Sequence, residues 1–185
     1  MERKITFCYQ AITDIQTTIR AIDTKIGFLM VAIFIPTAGV KEISSVYRAT
    51  AAHSDCLAIL MWITAAAWAV TLIVLFRALW SVKNPAANVT GSDAHGVFFH
   101  SANYKMGPAA CFFNYPVKSK ISLQEAITRI PSDEQGLIKE LVFEKMKLEY
   151  IRDIKMRRCS MSSVLTLFWM ATGVGIYAYS LMSKY

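Results

Sequence analysis

At 185 residues the chain is long enough for one domain, or for a small domain with an appendage. Hydrophobic residues make up 55% and charged residues 18%, with a mean hydropathy of +0.37, which is too apolar for an ordinary soluble domain. The net charge of +7 is compatible with a nucleic-acid partner, but beside membrane spans, attraction to anionic lipid headgroups is the simpler account.

Residues 1–25 predict a helix with a heptad stripe. In "AITDIQTTIRAIDTKIGFLM" isoleucine recurs at Ile12, Ile15, Ile19, Ile22 and Ile26, and the rhythm reaches back to Cys8 and Ile5 and forward to Leu29 and Ile33. Isoleucine at both seam positions favours a trimeric or tetrameric coiled coil, making these five residues a candidate oligomer seam. Alternatively the stripe packs on the chain's own helix at 132–159, and the two are compatible. At the end of the stripe Asp23 and Lys25 form a candidate hinge at the membrane boundary. A carboxylate at the hydrocarbon edge needs a partner, and Lys25, Arg20, Arg157 or Arg158 is expected to supply it.

Residues 26–43 read as the first membrane span, opening on "IGFLMVAIFIPTAGV"; Pro36 and Gly39 are tolerated in such helices, and Lys25 and Lys41 can snorkel. Residues 44–55 read as an external loop. The second span, 56–80, opens on "CLAILMWITAAAWAVTLIVLF", a run long enough to cross a bilayer core of about 30 Å.

Residues 81–131 form a region of loops and short elements. "NPAANVTGSDAHG" is turn-rich, "VFFHSANY" has the composition of a short extended segment, and "GPAACFFNYP" is loop again. Ser122 with Glu125 matches a capping box opening the short helix "LQEAITRI", which Pro131 ends. Ser132 with Gln135 matches a second box. It opens a helix over 132–159 whose greasy side comprises Leu137, Leu141, Leu148 and Ile151, flanked by Ile138, Val142 and Ile154. No proline interrupts the continuation into a third span, 160–182, so one helix of about 75 Å is expected. The fold class is therefore an all-α membrane protein with three transmembrane helices.

Charge sets an orientation. Arg3, Lys4, Arg20 and Lys25 precede the first span, and residues 83–158 carry most of the other basic groups, whereas the stretch between the first two apolar runs holds only Lys41 and Arg48 and the tail Lys184. The positive-inside rule places the N-terminus and residues 81–159 in the cytoplasm and the C-terminus outside.

Little here points to catalysis. Cys8, Cys56, Cys111 and Cys159 have no CxxC spacing, and His53, His95 and His100 lack partners at metal-ligand spacing, so no metal site is expected. No P-loop, GxGxxG or HExxH occurs, and His100 beside Ser101 has no acid in position to complete a triad. The uncharged runs of the spans are broken by Thr37, Thr64, Thr71, Thr166 and Thr172 and by a few serines, never by Asp, Glu, Lys or Arg, which fits gross leakage better than a selective filter.

"AIDTKIGFLMVAIF" resembles the DxK segment entering the first span of the small membrane effectors of bacterial Pycsar antiphage systems. Three further segments resemble the same family in the same order: "FRALWSVKNP" closing the second span, "VFFHSANYKMGP" at an FFG-like element, and the basic helix "YIRDIKMRRCSMSSVLTLFW". The resemblance covers most of the chain from about Ala11, and departs from the family at His100, where glycine is usual. It implies a non-enzymatic effector in the bacterial inner membrane. A neighbouring cyclase makes cyclic CMP or cyclic UMP on infection, and the bound nucleotide triggers membrane damage and abortive infection. The region between the second and third spans is too short for a β-roll nucleotide domain, so the ligand is expected in a smaller or intersubunit pocket. Lys or Arg would meet its phosphate and aromatics its base. "FFHSANYK" and "FFNYPVKSK" supply Phe99, His100, Tyr104, Lys105, Tyr115, Lys118 and Lys120, and Arg129 is another candidate. Two other functions fit the residues: a scaffold or adaptor binding a protein through cytoplasmic helices, and a holin-like pore former triggered by its own concentration.

Overall fold

The computed structural model of the chain describes residues 2–51, 54–80, 82, 85–89, 96–97 and 119–182. Among them the regular elements are all helical: α1 (Glu2–Ala38), α2 (Val40–Ala51), α3 (Asp55–Leu79), a 3₁₀ turn at Pro85–Asn88, α4 (Leu123–Thr128) and α5 (Glu134–Met182). Three of them, α1, α3 and α5, are long and apolar enough to cross a membrane. The chain itself covers only 17%, 17% and 22% of their most apolar windows. Phe28, Val31, Trp62, Val164 and Leu167 are consequently all exposed. A contiguous apolar surface of that extent is foreign to a water-soluble monomer, and hydrocarbon is the solvent it suits. The protein is a multi-pass, all-α membrane protein.

The first span ends sooner than its hydropathy implies. Pro36 has no amide hydrogen to continue the ladder, and α1 stops at Ala38, not at residue 43. The carbonyls near the break find other donors. The Trp68 indole N–H donates to the Ile33 carbonyl at 2.9 Å, the Thr37 hydroxyl to Phe34 at 2.5 Å, and the Gly39 amide to Pro36 at 3.2 Å. In a hydrocarbon environment a carbonyl without any donor costs several kcal/mol (about 2–7 by transfer scales), so extra donors gathered at a helix break are favoured there. The expected loop at 44–55 is largely helix: α2 runs to Ala51, with Glu42 in its first turn and Arg48 in its last, both placed favourably for the helix dipole.

Both helix starts between the second and third spans differ from a complete capping box. At α4 the Ser122 hydroxyl accepts from the Glu125 amide at 3.1 Å, but the Glu125 carboxylate turns to Arg129 at 2.6 Å instead of reaching back. At α5 the cap is Asp133, not Ser132. Its carboxylate accepts from the Gly136 amide at 2.9 Å and its carbonyl from the Leu137 amide at 3.1 Å. Gly136 suits this turn because a Cβ there would sit 2.7 Å from the Asp133 carboxylate and 2.8 Å from the Pro131 ring.

The chain forms two compact units, one of Met1–Thr18 with Val82–Arg152 and one of Ile19–Ser81 with Asp153–Tyr185. In the first, Cys8, Ile15, Leu141 and Phe143 are buried together with the charged residues Glu140 and Lys147. In the second the core is Ile22, Ile26 and Ile33 of α1, Leu75 and Ala78 of α3, and Cys159 and Trp169 of α5.

Candidate functional site

The site-bearing unit is the second, where three helices that are apolar outside are joined by polar contacts at one end. Asp23 lies on the α1 face next to Ile22 and Ile26, so the packing of that stripe brings its carboxylate to α5. There the Lys155 ammonium donates to Asp23 Oδ1 at 2.6 Å. One turn further along α5, the Arg158 guanidinium donates to the carbonyl of Arg77 at 2.6 Å, satisfying a last-turn carbonyl of α3 that has no partner in its own helix. α5 therefore clasps both other spans. The expected boundary partner of Asp23 is corrected: it is Lys155, and not Lys25, Arg20, Arg157 or Arg158. Lys25 is exposed, and α1 passes Asp23 and Lys25 without a break, the interruption falling at Gly39.

Further along the spans the threonines are mostly satisfied. Thr64 and Thr172 join α3 to α5 at 3.0 Å, and Thr71 donates to the Ala67 carbonyl at 2.7 Å. Ser162, Thr166 and the Trp169 indole follow one face of α5, are buried, and have no hydrogen-bond partner among the described residues.

The seam isoleucines Ile15, Ile22 and Ile26 are buried and Ile12 and Ile19 half-buried within a single chain. In the second unit the stripe is covered by α3 and α5, so the chain itself supplies the packing that the heptad rhythm demands.

The first unit holds a feature that apolar periodicity missed. The greasy side of α5 predicts Val142 inside, yet Val142 is exposed while Glu140, Phe143 and Lys147 are buried. Glu140 Oε2 accepts from the Val97 amide at 2.9 Å, Lys147 pairs with Glu144 at 2.6 Å, and the Lys147 ammonium lies 5.1 Å from the centroid of the Phe143 ring. Gly96 packs on that ring with φ of +71°, and a Cβ there would stand 3.2 Å from Phe143. The sequence signal available for this cluster was the i, i+3, i+7 spacing of Glu140, Phe143 and Lys147, which a scan for apolar residues discards.

Of the candidate nucleotide contacts, Phe99, His100, Tyr104, Lys105, Tyr115 and Lys118 lie outside the described residues. So does most of the "VFFHSANY" segment, apart from Val97, and all of the "GPAACFFNYP" segment. Lys120 is exposed, and Arg129 is paired with Glu125 on the surface of α4. Among the described residues no group of three His, Cys, Asp or Glu side chains is placed to hold a metal ion. No protein-family model, curated protein or solved structure matches the chain.

Proposed function

We propose that the protein is a membrane effector of antiphage defence, held closed by the contacts of α5 and released by a cyclic pyrimidine nucleotide. The observation that carries this reading is the clasp. Lys155 and Arg158 on one helix hold the first span through Asp23 and the second through the Arg77 carbonyl. Those contacts are polar and local, so a modest bias can exchange them, whereas most of that core is apolar packing. α5 also carries Glu140, which binds the backbone at Val97, the residue before the segment holding His100, Tyr104, Lys105, Tyr115 and Lys118. On this reading cyclic CMP or cyclic UMP binds that segment together with Lys120 or Arg129, and α5 exchanges its clasp contacts. The inner membrane then loses its barrier. A ligand acts here only through its differential affinity for the two states.

The resemblance of four ordered segments to Pycsar effectors supports the trigger, and the distribution of Lys and Arg supports a cytoplasmic N-terminus with an external C-terminus. The active species is taken to be a homo-oligomer, a trimer or tetramer. The test is membrane potential, followed with a voltage-sensitive dye in bacteria producing the protein with a pyrimidine cyclase. Depolarisation that requires an active cyclase is expected. Depolarisation equal without cyclase favours the holin-like alternative, and none at any cyclic-nucleotide level favours the adaptor.

A further inference from the structure

The buried face of the third span is its polar one. From Cys159 the positions Ser162, Thr166 and Trp169 follow at gaps of three, four and three, so they share one side of α5. All four are buried, Ser162 completely, whereas Val164, Leu167 and Val174 are between 65% and 70% exposed. A span that only had to pack gains nothing from this arrangement, because apolar side chains fill a core without needing partners. The hydroxyls show what is unusual. Thr64, Thr71, Ser163 and Thr172 each donate to a carbonyl one turn back in their own helix, the ordinary way of satisfying a hydroxyl in a span. Ser162, Thr166 and the Trp169 indole have no partner among the described residues. Along α5 this face lies between the clasp residue Arg158 and the Thr172–Thr64 hydrogen bond, roughly 20 Å apart. Ile26, Ile33 and Leu75 belong to the same core.

We propose that this face of α5 lines the route by which water and small ions of either sign cross the membrane once the clasp is exchanged. The inference rests on the effector reading only for the clasp, and it places the leak inside the three-span unit. With the spans together, the isoleucines and Leu75 form an apolar constriction, which excludes water while narrow and wets when it widens. Wetting gives the Ser162 and Thr166 hydroxyls and the Trp169 N–H the partners they lack, so it favours the open state over the closed one. No Asp, Glu, Lys or Arg occurs in residues 159–171, 26–38 or 56–76, so the walls discriminate little between cations and anions.

Two substitutions that keep side-chain shape separate this role from a structural one. A hydroxyl that helped hold the fold would destabilise it when removed, whereas one that serves only the open route leaves the closed unit more stable. Ser162→Ala with Thr166→Val should therefore raise the denaturing-detergent midpoint of the full chain. The same pair is then combined with Lys155→Gln and Arg158→Gln, which abolish the clasp, and the protein is reconstituted in liposomes. Without the clasp, potassium and chloride are both expected to leave, as read by ion-selective electrodes, and removing the two hydroxyls should slow both by about fivefold or more. Thiol labelling locates the route in a chain whose native cysteines are changed to alanine. Thr166→Cys should react with a cationic and an anionic methanethiosulfonate only when the clasp is broken, and Leu167→Cys, on a side 70% exposed, with neither. The clasp-intact chain in cells producing a cyclase should give the same labelling pattern, which guards against misfolding of the clasp variants. A midpoint that falls, no efflux without the clasp, efflux indifferent to the hydroxyls or confined to one ion, or equal labelling at positions 166 and 167 would each overturn the route. Depolarisation independent of cyclase, with labelling confined to position 166, would remove the nucleotide trigger and leave the route standing.

Discussion

Removing the Asp23 carboxylate is the sharpest test of the clasp. The pair is short, 2.6 Å, with Lys155 at 13% and Asp23 at 40% side-chain exposure, so it lies between a surface ion pair and a buried one. Exposed pairs contribute about 0.2–1 kcal/mol, and breaking a fully buried pair costs about 3–5 kcal/mol. The intermediate burial puts the coupling of Asp23 to Lys155 at about 1–2 kcal/mol, or about a five- to thirtyfold change in an equilibrium. The measurement is a double-mutant cycle of Asp23→Asn and Lys155→Gln. Unfolding free energies come from titrating denaturing detergent into mixed micelles, and membrane insertion is checked by fractionation. Each single change should destabilise, the double change should cost clearly less than their sum, and the exchange Asp23→Lys with Lys155→Asp should recover part of the loss. A coupling below about 0.3 kcal/mol would refute the reasoning, since independent sites add to within that margin. In cells the same Asp23→Asn change should lower the nucleotide level needed for depolarisation while leaving insertion intact.

Trp68→Phe removes the hydrogen bond that ties α3 to the Ile33 carbonyl of α1 and should cost about 0.5–1.5 kcal/mol in the same titration, the usual net contribution of one hydrogen bond, because that carbonyl keeps the Thr37 position of its own helix as donor. Gly96→Ala forces a non-glycine residue to φ of +71° against the Phe143 ring, and a loss of about 1–3 kcal/mol is expected; Phe143→Leu in that background should recover only the contact part and leave the backbone part. Ile15→Asp places a carboxylate at a position 6% exposed within one chain and should destabilise by about 3 kcal/mol or more whatever the protein concentration, whereas a loss that fades as concentration rises would place the stripe between subunits. Neutralising Lys105 and Lys118 together, each to Gln, should raise the cyclic nucleotide concentration for half-maximal depolarisation by about tenfold for each 1.4 kcal/mol of binding lost; an unchanged curve removes both from the ligand site.

Periodicity and hydropathy were enough to specify the helices, because both are local. The three-four rhythm from Ile5 to Ile33 dictates which face of α1 is covered, and three uncharged runs dictate three spans, whatever the chain does elsewhere. Serine at Ser122 likewise announces its cap, since the bond it makes is to an amide three residues away. Where pairing depends on distant residues, the one-dimensional pattern gave several equal answers. Four basic residues were reasonable partners for Asp23 and the structure chose a fifth, because the choice depends on the rotation of α5 against α1, which no local spacing encodes. Burial of Glu140 and Lys147 ahead of Val142 has the same origin. Charged side chains can be inside only when specific partners, Val97 and Glu144, are brought to them, and those partners are assembled by the fold.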